Sequence, residues 1–259
     1  MIPSTATAAE TRPGQPLPHG TRSRFHGLRW LMVGMIFLVT VVNYVDRMTL
    51  SVLAPTIMDE FRMNNEAYSH VVGAFLIAYT ISQSLAGRFI DRIGTRIGFM
   101  VMVGVWTVSS MLHAAARSVM ELEIFRFMLG IGEGGNWPGA AKAVAEWFPV
   151  RERAFAMAIF NSGSSIGAVL APPVIVWVAL TFGWRYAFFI GASLSSVVMV
   201  LWFLFYRRPE HHPRLSAEER AHILSDGLDD EQPGDTQGPV VRRSWISLFR
   251  YRQVWAVVA

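Results

Sequence analysis

The sequence contains no cysteine, and only 16% of its 259 residues are charged. Without cysteine there can be no disulfide staples, which proteins folded in a bilayer do not need for stability. The charge content lies far below the roughly 25% usual for soluble domains. No metal-ligand cluster, phosphate-cradling loop or nucleophile–base set can be read, and the seven histidines are scattered. An enzyme, a resident cofactor and ATP-driven transport are therefore not expected.

What the sequence has instead is hydrophobic length. Apolar residues make up 52% of the chain. A run of about 18 or more such residues is long enough to cross a bilayer as a helix. Six runs qualify, at about 30–53, 69–88, 97–115, 122–147, 154–180 and 185–206. A seventh begins at Val254. The fold class expected is an all-α polytopic membrane protein, a six-helix half-bundle over 29–206. Residues 1–28, rich in Pro, Ser, Thr and Gly, read as a disordered cytoplasmic tail. Residues 207–250 read as a charged cytoplasmic linker, and 251–259 as the start of a truncated seventh span. Within the linker, "LSAEERAHILSDG" suggests a short helix capped by Ser216 and ended by Gly227.

Lys and Arg near span ends set orientation. Fifteen arginines fall in the tail, the second–third and fourth–fifth loops and the linker, against only Arg62, Arg117 and Arg185 on the other side. Both ends of the half-bundle are thus expected in the cytoplasm, and the net charge of +4 needs no nucleic-acid partner to explain it.

Between the second and third spans stands "GRFIDRIGTRIG", with Gly87, Asp91, Arg92, Gly94 and Arg96 at G-x-x-x-D-R-x-G-x-R spacing. Glycines allow a tight turn there, arginines stay at the surface, and Asp91 can sit against a helix N-terminus or an arginine. This loop resembles the signature of the major facilitator superfamily. "NYVDR", "RFMLGIGEGGNWPGAAKAVAEWFP" and "RERAFAMAIFNSGSSIGAVLAPPVIVW" resemble its anion:cation symporter family, most of all bacterial hexuronate transporters. The resemblance implies two six-helix halves with the substrate site between them. The missing carboxy-terminal half would then be a partner, and the bacterial inner membrane the location.

Charged residues inside a span are costly and usually serve a cavity. Asp46 and Arg47 lie in the first span, with Arg126 and Glu133 seven apart on one face of the fourth. Together they sum to zero charge. Entry of a carboxylate then disfavours an ionised acid nearby, so substrate and proton bind cooperatively. This predicts electroneutral proton symport of a small organic anion. Arg47 would grip the carboxylate with two hydrogen bonds. The resemblance implies the same division, with Asp46 and Glu133 handling the proton and Arg126 pairing with Asp46 when no proton is bound. The alternative is that Asp46–Arg126 and Arg47–Glu133 are static pairs fixing helix register. Tyr44, Tyr79, Asn161 and Ser164 are further substrate contacts, though small polar residues also bridge helices. Lys142 and Glu146 are expected to snorkel. In the fourth span the glycines serve either as a flexible cavity rim or as dense packing, and Pro138 should kink the helix. Exchangers of the superfamily tend to carry G-x-x-x-G-P in the fifth span. Here Ala168 follows Gly167, which favours symport. Galactonate, glucarate or phthalate carriage, a non-transporting receptor and an inactive half remain alternatives.

Overall fold

The computed structural model describes residues 27–224, and the tail before Gly27 and everything after Leu224, including the seventh run and Gly227, lie outside them. Nine α-helices are seen among the described residues, with no strand. They are α1 (Leu28–Val52), α2 (Ala54–Glu60), α3 (Asn65–Ile93), α4 (Thr95–Ala114), α5 (Val119–Glu133), α6 (Asn136–Trp147), α7 (Val150–Phe182), α8 (Trp184–Phe205) and α9 (Ala217–Ile223). Helices α1, α3, α4, α7 and α8 are long and apolar enough to cross a bilayer. Their outward side chains, such as Ile77, Leu85, Val169 and Leu180, are exposed, as a lipid-facing surface requires.

The fourth run, expected to be continuous over 122–147, is instead two helices, α5 and α6, broken at Gly134–Gly135. The cause lies in the chemistry of the backbone. Pro138 has no N–H to offer the Gly134 carbonyl, and one turn of hydrogen bonding is lost. Gly135 N–H turns back to the Gly132 carbonyl at 3.2 Å, a tighter i−3 bond. The glycines before the break are there for proximity. A Cβ on Gly130 would lie 2.5 Å from the Phe75 carbonyl oxygen, and one on Gly132 2.5 Å from Trp106 N. Helix α5 is therefore pressed between α3 and α4, the dense-packing reading of these glycines.

Turn glycines set the other boundaries. Gly94 and Gly183 adopt φ of 91° and 100°, conformations that favour glycine, where α3 meets α4 and α7 meets α8. Ser118, Asn64 and Ser216 cap α5, α3 and α9 through their side chains. Three differences from the sequence expectation stand at the ends. Helix α1 begins at Leu28, inside the expected tail. The short helix α2 fills the first loop. Helix α9 stops at Ile223 rather than running to Gly227.

Helix α1 packs along α7 and α8, α3 along α5, and α4 along α5 and α8. Two apolar cores result. One joins Met32, Ile36, Trp106, Trp147 and Trp202 toward the arginine-rich end, and the other joins Leu50, Ile57, Trp184 and Phe188 at the opposite end. Between them on α1 lies a line of buried polar residues, Thr40, Asn43, Asp46 and Thr49, spaced three apart. That line positions the site.

Candidate functional site

Asn43 and Asp46 occupy one buried face of α1, and Tyr44 and Arg47 the adjoining, half-buried one. Arg47 reaches across to α5. Its Nε and Nη2 each lie 2.9 Å from Glu133 Oε2, and the Glu133 side chain is 0% exposed. Three rings surround the same guanidinium: Tyr79 with its centroid at 4.5 Å, Tyr44 at 5.2 Å and Phe75 at 5.3 Å. Aromatic faces attract a cation and hold its plane, so Arg47 is oriented without being enclosed. Its side chain stays 24% exposed, the accessible charge of the group.

Asp46 is held quite differently. It accepts a hydrogen bond from Ser195 Oγ of α8 at 2.8 Å and another from Ser110 Oγ of α4 at 3.2 Å. Gly191 lies directly against Asp46 Oδ1, close enough that any side chain there would collide with it. The expected Asp46–Arg126 contact is not formed. With both carboxyl oxygens bonded to hydroxyls on the α4 and α8 side, Asp46 is satisfied without a guanidinium. Arg126 is buried near the Phe75 ring, and its Nε and Nη2 have no hydrogen-bond partner among the described residues. Glu133 Oε1 and Asn43 Nδ2 are likewise unbonded. Asn136 of α6 donates to Thr40 at 3.3 Å. One of the two pairs anticipated from the sequence is thus present and the other is not.

The remaining sequence candidates divide. Tyr44 and Tyr79 join the Arg47 cluster. Asn161 and Ser164 bond each other's turn, with Ser164 Oγ donating to the Asn161 carbonyl at 2.6 Å, and neither makes a hydrogen bond to the charged group. Helix α7 meets α1 through Gly163 and Gly167 instead, the latter against Tyr44 Cβ. In the loop signature, Asp91 pairs with Lys142 Nζ at 2.5 Å, in place of the expected arginine or helix end. Arg96 donates to the Phe203 carbonyl at 2.6 Å, Gly94 makes the turn, a Cβ on Gly87 would lie 3.9 Å from Pro138, and Arg92 is exposed. Lys142 and Glu146, expected to snorkel, both have polar partners within the protein, Asp91 for Lys142. Glu146 accepts from Thr95 Oγ1 at 2.6 Å and from Tyr206 Oη at 2.7 Å, knitting α4, α6 and the end of α8. The residues missed from sequence are Phe75, Ser110, Gly191 and Ser195. None carries charge, and the only signal was a serine or glycine on an inward face.

Comparison with known proteins places this geometry. The Major Facilitator Superfamily pattern matches residues 36–259, so the chain belongs to that superfamily of membrane transporters. It is 36% identical to a galacturonate transporter of Dickeya chrysanthemi over 234 residues, covering 90% of this chain and 67% of the relative. It is also 36% identical to the hexuronate transporter of Escherichia coli (strain K12), with 90% of this chain and 53% of that protein covered. The chain spans about half the length of that second relative. Among solved structures, a bacterial homolog of the human lysosomal transporter Spinster, inward-facing and unoccupied, superposes with a TM-score of 0.66 at 20% identity. The superposition covers 87% of this chain and 49% of the other.

Proposed function

We propose that this bundle forms one wall of a proton-coupled carrier for a small organic anion, a hexuronate such as galacturonate or glucuronate. The supporting observation is that Arg47, the one accessible charge of the cluster, is also the sole ion-pair partner of the fully buried Glu133 among the described residues. A substrate carboxylate competes with Glu133 for the same guanidinium. Once displaced, Glu133 is a buried charge without a partner, which costs several kcal/mol on the order of a desolvated carboxylate. Taking up a proton removes that cost, so anion and proton enter together. Asp46, bonded by neutral hydroxyls rather than a cation, is the second proton carrier of the reading. Tyr44 and Tyr79 offer hydroxyl edges to a sugar acid beside Arg47.

The relatives' names support the substrate class, and the arginine distribution supports a cytoplasmic amino terminus in a bacterial inner membrane. The relatives' greater length supports a second half-bundle facing this wall, with rocking of the two giving alternating access. The test is uptake of labelled galacturonate into vesicles holding the complete protein, with and without an inward proton gradient. Gradient-dependent accumulation that Glu133→Gln uncouples is expected. Accumulation unaffected by collapsing the gradient would refute the coupling, and glucarate outcompeting galacturonate would refute the substrate.

A further inference from the structure

The arginine-rich end of the bundle holds a second charged cluster, separate from the Arg47–Glu133 group. Arg92, Arg96, Arg207, Arg208 and His211 converge on a recess of about 520 Å³, whose one acidic lining residue is Asp91. Asp91 is already neutralised by Lys142. Arg96 is tied to the Phe203 carbonyl, and Arg208 lies 3.8 Å from Glu146. Arg92 and Arg207 have neither a hydrogen bond nor an ion pair among the described residues, and both are exposed. The recess also contains the start of α4, where no side chain caps the helix. Free backbone N–H groups and the positive helix end add to the field for an anion.

The surface beside the recess indicates what kind of anion. Ile97 and Val101 of α4 are 50% and 39% exposed, and Val200 and Phe203 of α8 are 52% and 47% exposed. These two helices pack on each other, and the Arg96 guanidinium lies 4.7 Å over the Phe203 ring, so the strip begins at the rim of the recess. A basic pocket at the head of an apolar seam suits a molecule with an anionic head and hydrocarbon tails. Free phosphate would use the arginines and leave the seam idle.

We propose that this recess binds the phosphate of an anionic membrane phospholipid, with Arg92 and Arg207 as its principal ligands and the acyl chains along the α4–α8 seam. Basic pockets between spans favour anionic headgroups through charge, and each arginine adds to the preference. The experiment is native mass spectrometry of the delipidated full chain, titrated with phosphatidylglycerol, phosphatidylethanolamine or phosphatidylcholine, with inorganic phosphate as competitor. Phosphatidylglycerol should bind about tenfold or more tighter than the other two. Arg92→Gln/Arg207→Gln should abolish that preference while circular dichroism shows unchanged helicity. Arg62→Gln at the opposite end should leave it intact. Should the double variant lose helicity, Arg207→Gln alone, beyond the end of α8, gives the same test with a smaller loss. Undiminished preference in these variants, equal binding of phosphatidylethanolamine, or displacement by equimolar phosphate would each overturn the assignment.

Discussion

Arg47 donates from Nε alone to one oxygen of Glu133 at 2.9 Å, with Nη2 equally near but not hydrogen-bonded, and the other oxygen is left without a hydrogen bond. A two-oxygen fork would be the tighter arrangement. The one-oxygen contact leaves the guanidinium face on Tyr79 and the side chain 24% exposed. A pair built only to lock two helices would use both oxygens, so the geometry suits a contact that is made and broken.

Exchange of Arg47 for lysine therefore separates charge from shape. Lysine keeps the positive charge but cannot present the planar donor set or stack against Tyr79 as a guanidinium does. Arg47→Lys should weaken substrate half-saturation by about tenfold or more, since one charge-assisted bond is worth roughly 1.5–3 kcal/mol. Equilibrium binding of galacturonate to the complete purified protein reads this directly, and unchanged affinity would remove Arg47 from the substrate site.

Two glycines of the same bundle should respond oppositely to one methyl group. Gly130→Ala drives a Cβ into the Phe75 carbonyl, whereas a Cβ at Gly34 meets nothing within 4 Å. Overpacking of a filled interior costs about 1–3 kcal/mol. Gly130→Ala should lower the thermal midpoint in detergent by several degrees, and Gly34→Ala should leave it unchanged or raised. Equal midpoints for the two would mean that the α3–α5 approach is looser than the structure has it.

Helix α1 offers no cap of its own, and receives one from 190 residues away. Glu219 Oε1 accepts Arg29 N–H at 3.1 Å, and Oε2 accepts Gly27 N–H at 3.4 Å. The Ser216–Glu219 spacing is that of a capping box, in which the glutamate would return to its own helix start. Here it serves α1 instead. Glu219→Ala should cost about 1 kcal/mol, and should raise amide exchange at the first turn of α1 and in α9 without affecting α4. Exchange confined to α9 would show that the cap is dispensable to α1.

These contacts mark where sequence reading stops. Five of the six runs were legible as single long helices because a bilayer imposes a length on apolar runs, and the loop signature because glycine and arginine have local jobs in a turn. Arg47 and Glu133 were legible because charge inside a span is rare. Ser110, Ser195 and Gly191 were not, since their meaning comes from α4 and α8 meeting α1, a long-range event with no periodic trace. The break at Gly134 was half visible: Pro138 announced a kink, but its site depends on which carbonyl loses its donor.

His212, just beyond α8, makes the docking of α9 sensitive to acid. Its Nδ1 accepts Arg214 N–H at 3.2 Å and its Nε2 lies 3.4 Å from the Phe205 carbonyl, so the docked ring is the neutral Nε2–H tautomer. It also packs edge-on to Trp147. Burial lowers its pKa from 6.5, outweighing the opposing hydrogen bond to the Phe205 carbonyl, and Arg207, Arg214 and Arg220 nearby lower it further. The sign follows from the proton count. Below 6.5 the undocked segment takes up a proton that the docked one resists, so docking stability is complete above that value and falls as pH drops beneath it. His222 also joins this segment to the bundle, through its 2.8 Å contact with Glu152. The reading is therefore a difference. Hydrogen exchange over 214–224, corrected for intrinsic rate, should increase between about pH 7.5 and about pH 5.5 more in the unmodified chain than in His212→Gln. Identical acid responses in the two chains would show that His212 does not govern the docking.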